Sequence, residues 1–203
     1  MGATPAEPSA ATLMVDLIIT LDGCASGEGW PGWWGLEGPE YLAWLQQEAG
    51  QERTYLMGAK TYRLMSGMSN DAAAAGTEYG ADERASLTGL ASVPKVVFSA
   101  TLTAPLTWPN SQLVAGDAVE AVRQLKQGHA GLLSTLGSLS LCRSLVAADL
   151  VDRFRLVVFP LITGRTGSER IFDGYPDVAL EMVDSRTLDG RLQLLEYIPH
   201  PIA

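Results

Sequence analysis

LLSTLGSLSLCRSL, residues 132–145, is the stretch from which the rest of the chain is read. Leu132 to Leu136 form a short apolar run that stops at Gly137. From Ser138 onward the apolar residues Leu139, Cys142, Leu145 and Val146 recur three or four apart, the spacing of a helix that buries one face. A glycine at the change of period marks a strand turning at once into a helix. The first amides of a helix have no partner inside it, and the helix dipole there favours negative charge. Gly137 would let a phosphate approach the backbone, and Ser138 would contact it. The same residues also make an ordinary turn in which Ser138 caps the Leu141 amide. The stretch alone leaves both readings open.

Two other places repeat the arrangement. In RTYLMGAKTYRLM, residues 53–65, a strand reaches Gly58 and a helix starts at Ala59-Lys60-Thr61. In PKVVFSATL, residues 94–102, a strand ends on Ser99, Ala100 and Thr101. In an open parallel sheet all such ends lie along one edge, where ligands bind. Three small or polar strand ends on one edge fit a ligand with several phosphates; they also fit three ordinary turns.

The remaining segments continue the alternation of strand and helix. LMVDLIITLDG (13–23) is a buried strand closed by Asp22-Gly23, and residues 24–39, with Trp30, Trp33 and Trp34, read as a loop. Pro39 and Glu40 open a helix whose apolar stripe is Tyr41, Trp44 and Leu45. Residues 69–89 are small and polar, an insertion or a short helix. A short strand at 112–116 precedes a helix over 117–128 with Asp117 as its cap. A strand covers 152–164, and Arg165 to Ser168 read as a solvated loop or a phosphate contact. Residues 178–198 form a hairpin turning at Asp189-Gly190. The pattern is one α/β domain over 13–203, with a mainly parallel sheet and an antiparallel edge, after a frayed tail over 1–12.

Bulk properties exclude several classes. A net charge of −9 over 203 residues is unsuited to nucleic acid, whose phosphates need a basic face. Two cysteines, Cys24 and Cys142, fit buried small hydrophobes in a reducing, cytoplasmic setting. With two histidines, a His-rich metal site is not expected. No run is long and apolar enough for a membrane span, and the opening residues lack the basic start and apolar core of a signal peptide. GxGxxG after the first strand, the Walker lysine motif, the nucleophile elbow and HExxH are all missing.

In this order, ITLDG (19–23), LMGAKTYRLM (56–65), PKVVFSATL (94–102), LGSLSLCRSL (136–145), LVDRFRLVVFPLITG (150–164) and the final hairpin resemble the dihydrofolate-reductase-like superfamily. Within it they are most similar to the reductase domain of bacterial riboflavin biosynthesis. The resemblance implies a central mixed, mostly parallel sheet with helices on both faces and a C-terminal antiparallel hairpin, usually as a homodimer. It implies NADPH across the strand ends and hydride transfer to a small heterocyclic substrate of pyrimidine or pteridine type. Carried over residue by residue, Gly58, Ala59, Lys60 and Thr61 match the phosphate-binding turn. Ser99 matches a serine near the adenosine 2′-phosphate, and Gly137, Ser138 and Leu139 match the pyrophosphate loop. Gly164 falls near the nicotinamide. Asp22 lies at the mouth of the substrate pocket as a proton relay or substrate anchor. Trp33 and Trp34 stack on a flat ring, close as a lid, or simply pack locally, and Tyr41 occupies the position of the acid that faces a pterin in the dihydrofolate reductases.

Besides Tyr41, the chain departs from the family pattern at three positions. Ala59 and Ala100 stand where arginines are usual, which removes fork-shaped donors for a phosphate. Leu136 stands where the riboflavin enzymes carry a glutamate. The expectation is therefore a nicotinamide-dependent reductase, with a non-catalytic nucleotide-binding or sensor protein as the alternative.

Overall fold

The computed structural model describes residues 11–28, 34–76, 79–128 and 131–202. Most of the expected tail, residues 1–10, and the tryptophans at 30 and 33 lie outside this range. Ala11 is buried, 2% exposed, and the sheet already begins at Thr12.

Six strands run parallel: β1 (Thr12–Thr20), β3 (Arg53–Gly58), β4 (Lys95–Phe98), β5 (Ser111–Val114), β6 (Leu132–Thr135) and β7 (Arg153–Phe159). With β9 (Val178–Leu188) and β10 (Leu192–Pro201) they form an eight-stranded sheet among the described residues, in the order β5-β4-β3-β6-β1-β7-β10-β9. The last hairpin joins β7 antiparallel. A separate pair, β2 (Cys24–Gly27) and β8 (Gly167–Arg170), is antiparallel. Both stretches read as loop in the sequence. Four-residue strands carry no periodicity of their own, and their partners lie 140 or more positions away.

Helices cover both faces. Odd-numbered residues of β1, namely Leu13, Val15, Leu17 and Ile19, face α4 (Ala118–Gly128) and α5 (Leu139–Ala147), meeting Val122, Leu141, Cys142 and Leu145. The opposite face meets α1 (Pro39–Ala49), α2 (Ala59–Ala73) and α3 (Ala81–Gly89). There Tyr41, Trp44 and Phe159 form one cluster, and Met57, Tyr62, Val97 and Trp108 another. Residues 69–89, indeterminate in sequence, hold the end of α2 and all of α3. Both cysteines are buried and free.

The hairpin turn lies at Asp189 (φ +52°) and Gly190 (φ +65°), the left-handed pair that a tight two-residue hairpin needs. Asp189 also reaches back 149 positions to α1. Its carboxylate accepts the Glu40 amide at 2.9 Å and the Tyr41 amide at 3.0 Å, while its own amide donates to Glu40 Oε2 at 2.5 Å. Gly38 is what admits the carboxylate, since a Cβ there would collide with it. Asp189→Ala is expected to cost about 1 kcal/mol, the usual worth of an N-cap. Urea unfolding checks this, and a midpoint equal to wild type would show the cap idle.

Candidate active site

The parallel strands end along one edge. Taken across the sheet, β4, β3, β6, β1 and β7 deliver Ser99, Gly58, Gly137, Asp22 and Gly164 to it in that order. With strands about 4.8 Å apart, the row spans roughly 19 Å.

Its centre is the pair of turns on neighbouring strands β3 and β6. Gly58 is extended (φ −90°, ψ 173°) and leads into α2. Gly137 (φ +56°) and Ser138 (φ +63°) are both left-handed and lead into α5. That conformation costs a serine roughly 1–2 kcal/mol, and it turns the side chain away from its own helix. Ser138 therefore does not cap Leu141. Its Oγ accepts the Gly58 amide at 2.8 Å and donates to Thr61 Oγ1 at 2.8 Å. One hydroxyl ties the two turns together, and the Gly58 amide, expected to be bare, is occupied.

The amides beyond it remain open. Among the described residues, no side chain accepts from Ala59, Lys60 or Thr61 at the start of α2, or from Leu139, Ser140 or Leu141 at the start of α5. By contrast, α1 is closed by Asp189 and α4 by Asp117, whose Oδ1 accepts the Glu120 amide at 3.0 Å. Gly137 allows close approach: a Cβ there would stand 3.5 Å from Thr61 Oγ1. Beside it, Cys142 Sγ donates to the Gly137 carbonyl at 3.2 Å. Burial pushes that thiol up to about 12, so it is a packed donor and not a nucleophile.

The flanks are more engaged than the sequence suggested. Ser99 Oγ accepts the Thr101 and Leu102 amides, both at 3.0 Å, and so closes a local turn. The exposed Lys60 ammonium pairs with Glu169 of β8, which draws the β2–β8 pair toward the start of α2.

Asp22 is the most heavily bonded group on the edge. Oδ1 accepts the Thr20 hydroxyl at 2.6 Å and the Thr163 amide at 3.1 Å; Oδ2 accepts the Gly164 amide at 2.9 Å; the Thr163 hydroxyl lies 3.2 Å from both. The Thr20 hydroxyl first, then the Gly164 and Thr163 amides, hold this carboxyl well below the usual carboxylate range. It clamps the end of β1 to the segment after β7, where Gly164 has φ +45°.

Tyr41, expected at the substrate, is 1% exposed. Its ring stacks on Trp44 at 5.7 Å and meets Phe159 edge-on at 5.6 Å. Burial, then the charges of Asp16 and Glu37, push its phenol up. The apolar stripe placed it correctly on α1 but on the core side. Trp34 is half-buried and lies on Phe159, the last residue of β7, at 5.2 Å.

An ion pair and a lone acid that sequence reasoning passed over also lie near this site. Arg155 and Asp16 pair beneath this face, in the middle of apolar strands. Glu37, a lone acid in a glycine-rich loop, carries a buried oxygen, Oε1, with no hydrogen-bond partner. The sole signal for the first was a charge inside each apolar run; the second had none.

No described helix is long and apolar enough to cross a membrane. Comparison with curated proteins gives no match. Among solved structures, a putative riboflavin biosynthesis protein of Shewanella sp. PV-4 is similar at a TM-score of 0.65 and 16% identity, over 93% of this chain and 98% of that one. A diaminohydroxyphosphoribosylaminopyrimidine deaminase / 5-amino-6-(5-phosphoribosylamino)uracil reductase of Thermotoga maritima gives 0.62 at 12% identity, over 94% of this chain but 57% of that one. The dihydrofolate reductase of Enterococcus faecalis complexed with NADP(H) gives 0.57 at 13% identity, over 93% and 96%. At such identities the likeness speaks for the fold, which is dihydrofolate-reductase-like. The profile of the RibD C-terminal domain matches residues 11–194, and with the sheet order and the final hairpin in agreement, the chain belongs to the RibD C-terminal domain family.

Proposed function

We propose that the chain is an NADPH-dependent reductase of a small pyrimidine- or pteridine-type heterocycle, resembling the 5-amino-6-(5-phosphoribosylamino)uracil reductase of riboflavin biosynthesis. The observation that carries this is the contrast among helix starts: α1 and α4 are closed by carboxylates, while α2 and α5, side by side on the ligand edge, are open. Open amides at two neighbouring turns, one of them at a glycine, fit a diphosphate. The amides of residues 59–61 and 139–141 would hold it, with Ser138 fixing the distance between the turns. Ser99 and Ala100 would lie at the adenosine end, and Gly164 at the nicotinamide end. The bound cofactor supplies the hydride.

Asp22 serves this site as a positioning residue. Its oxygens are taken up in fixing the Thr163–Gly164 backbone, and it has no proton to give near neutral pH. That same fact favours the second reading, a nucleotide sensor that retains the fold without turnover. Exposed Leu180, Met182 and Val183 on the edge strand β9 support a homodimer, and free thiols at Cys24 and Cys142 suit the cytoplasm.

Tryptophan fluorescence tests the reading. NADPH, NADH and FMN are titrated separately, and NADPH is expected to quench most. NADPH oxidation is then followed with aminopyrimidines and pterins. Turnover identifies the reductase; binding without turnover identifies the sensor; no response to either nicotinamide nucleotide removes both.

A further inference from the structure

We infer that Glu169 of β8 is an internal competitor of the ligand: its carboxylate holds the Lys60 ammonium at the start of α2, and a bound diphosphate takes that ammonium from it. The inference rests on the diphosphate site proposed above for its place, but on its own observations for the competition.

Lys60 is the one cation in the first turn of α2, Ala59-Lys60-Thr61-Tyr62. A cation there meets the positive end of the helix dipole, which favours an anion instead. A negative group beside the ammonium offsets that conflict, and Glu169 supplies one from 109 positions away. It does so from an uncommon backbone. Glu169 has φ +56°, in the left-handed region. Besides Ser138, the other non-glycine residues described there are Asn110, Asp149 and Asp189, types that tolerate it. Glu169 is the one long side chain among them. The pair it makes is superficial, with Lys60 82% and Glu169 38% exposed, and such a pair returns less than the left-handed backbone costs. Stability therefore does not account for the arrangement, and strain of this kind gathers at ligand clamps.

The β2–β8 ribbon that carries Glu169 is anchored without Lys60. Ile171, 0% exposed, donates its amide to the Gly23 carbonyl at 3.0 Å. The Cys24 amide donates to Thr20 Oγ1 at 3.0 Å, and the Ser26 and Ser168 hydroxyls meet at 2.8 Å. The carboxylate can thus leave Lys60 by side-chain rotation while the ribbon stays in place. To an ammonium, a carboxylate and a phosphate oxygen are alike, each accepting a charge-assisted hydrogen bond. A diphosphate on the amides of residues 59–61 and 139–141 brings its own negative charge to that ammonium. Glu169 is then repelled by the ligand and has lost its partner to it. The contact accordingly lowers affinity by what the pair is worth, and a ligand has to outbid a carboxylate to enter.

The full chain is titrated by calorimetry with NADPH and, separately, with inorganic pyrophosphate. Glu169→Gln, which keeps the shape and removes the charge, is expected to tighten binding about twofold to fivefold, the worth of an exposed pair. Asp173→Asn removes a charge four residues further on, one paired with Arg170 and not with Lys60, and is expected to leave affinity unchanged. Lys60→Met weakens binding. In that background Glu169→Gln gives no further gain, because the competition runs through the ammonium. Affinity that is equal to wild type or weaker in a folded Glu169→Gln overturns the inference. So does a gain matched by Asp173→Asn, or one that persists without Lys60, since either reports a general field. If pyrophosphate binding follows Glu169 while NADPH binds no variant, the reductase reading falls and the competition stands. NADPH binding indifferent to Glu169 removes the competition alone, and failure of both ligands with every variant removes the diphosphate site and the competition together.

Discussion

Gly137→Asp is expected to abolish NADPH binding while leaving the chain folded. At φ +56° the new residue occupies the left-handed region, which aspartate tolerates better than most side chains. Space is not the obstacle, because a Cβ would stand 3.5 Å from Thr61 Oγ1 and 3.6 Å from Thr61 Cγ2, ordinary contact distances. The obstacle is charge. A carboxylate placed between the open starts of α2 and α5 takes the position proposed for the diphosphate. Two unit charges about 4 Å apart at an effective dielectric near 20 repel by about 4 kcal/mol, roughly a thousandfold in affinity. Gly137→Ala separates strain from charge: it should lower stability by about 1–2 kcal/mol and weaken binding far less. Fluorescence titration and urea unfolding on the three proteins settle it. Equal NADPH affinity in wild type and the aspartate variant would remove this loop from the site.

Arg155→Met is expected to cost about 3–5 kcal/mol of stability, the range for breaking a buried ion pair by deleting one partner. The guanidinium, 5% exposed, donates from Nη2 to Asp16 Oδ2 at 2.5 Å and from Nε to Asp16 Oδ1 at 3.2 Å, a two-pronged pair. Its Nη1 donates to Glu48 Oε2 at 2.7 Å, and Glu48 also accepts from the buried Arg53 at 2.9 Å. Trp44 covers the group, its ring centre 4.9 Å from Cζ. Without Arg155, Asp16 keeps its charge inside the sheet with nothing to balance it. Asp16→Asn combined with Arg155→Met should recover part of the loss, since no unpaired charge then remains.

The pH dependence follows the same network. Burial pushes the Glu48 carboxyl up, but hydrogen bonds and charge from Arg53 and Arg155 outweigh it and hold the group below its ordinary value of 4.5. A carboxyl depressed in the folded state contributes stability above its unfolded value, and that contribution is lost as pH falls through the folded one. The gap between wild type and Arg155→Met is therefore largest near neutrality and narrows on acidification below about pH 4.5. Urea midpoints at pH 7 and in the acid range check this; a gap that widens in acid would contradict the assignment.

Local signals made most of the architecture legible. The change of apolar period at Gly137, the Asp117 cap and the Asp189-Gly190 turn each act within a few residues, so each could be read from the chain and each is where it was expected. The stripe on α1 was equally clear, but which side of it faces a ligand depends on what the helix packs against. Tyr41 accordingly lies in the core, under Trp44 and Phe159. The sequence leaves Ser138 either a local cap or a phosphate contact, but its left-handed backbone aims the hydroxyl at Gly58 and Thr61, some 80 positions earlier.

The sequence by itself determined the alternation of strands and helices and the three glycine- or serine-bearing strand ends, because periodicity and turn chemistry are properties of neighbours along the chain; the family came from the resemblance of its ordered motifs. Tertiary structure alone decided which of those ends are open and which are closed. The carboxylates that close α1 and fix Gly164, the hydroxyl that joins the turns at Gly58 and Gly137, and the guanidinium that neutralises Asp16 all come from distant positions. A hydrogen bond depends on a few tenths of an ångström between groups, and only the folded sheet brings residues 80 or more positions apart to that distance.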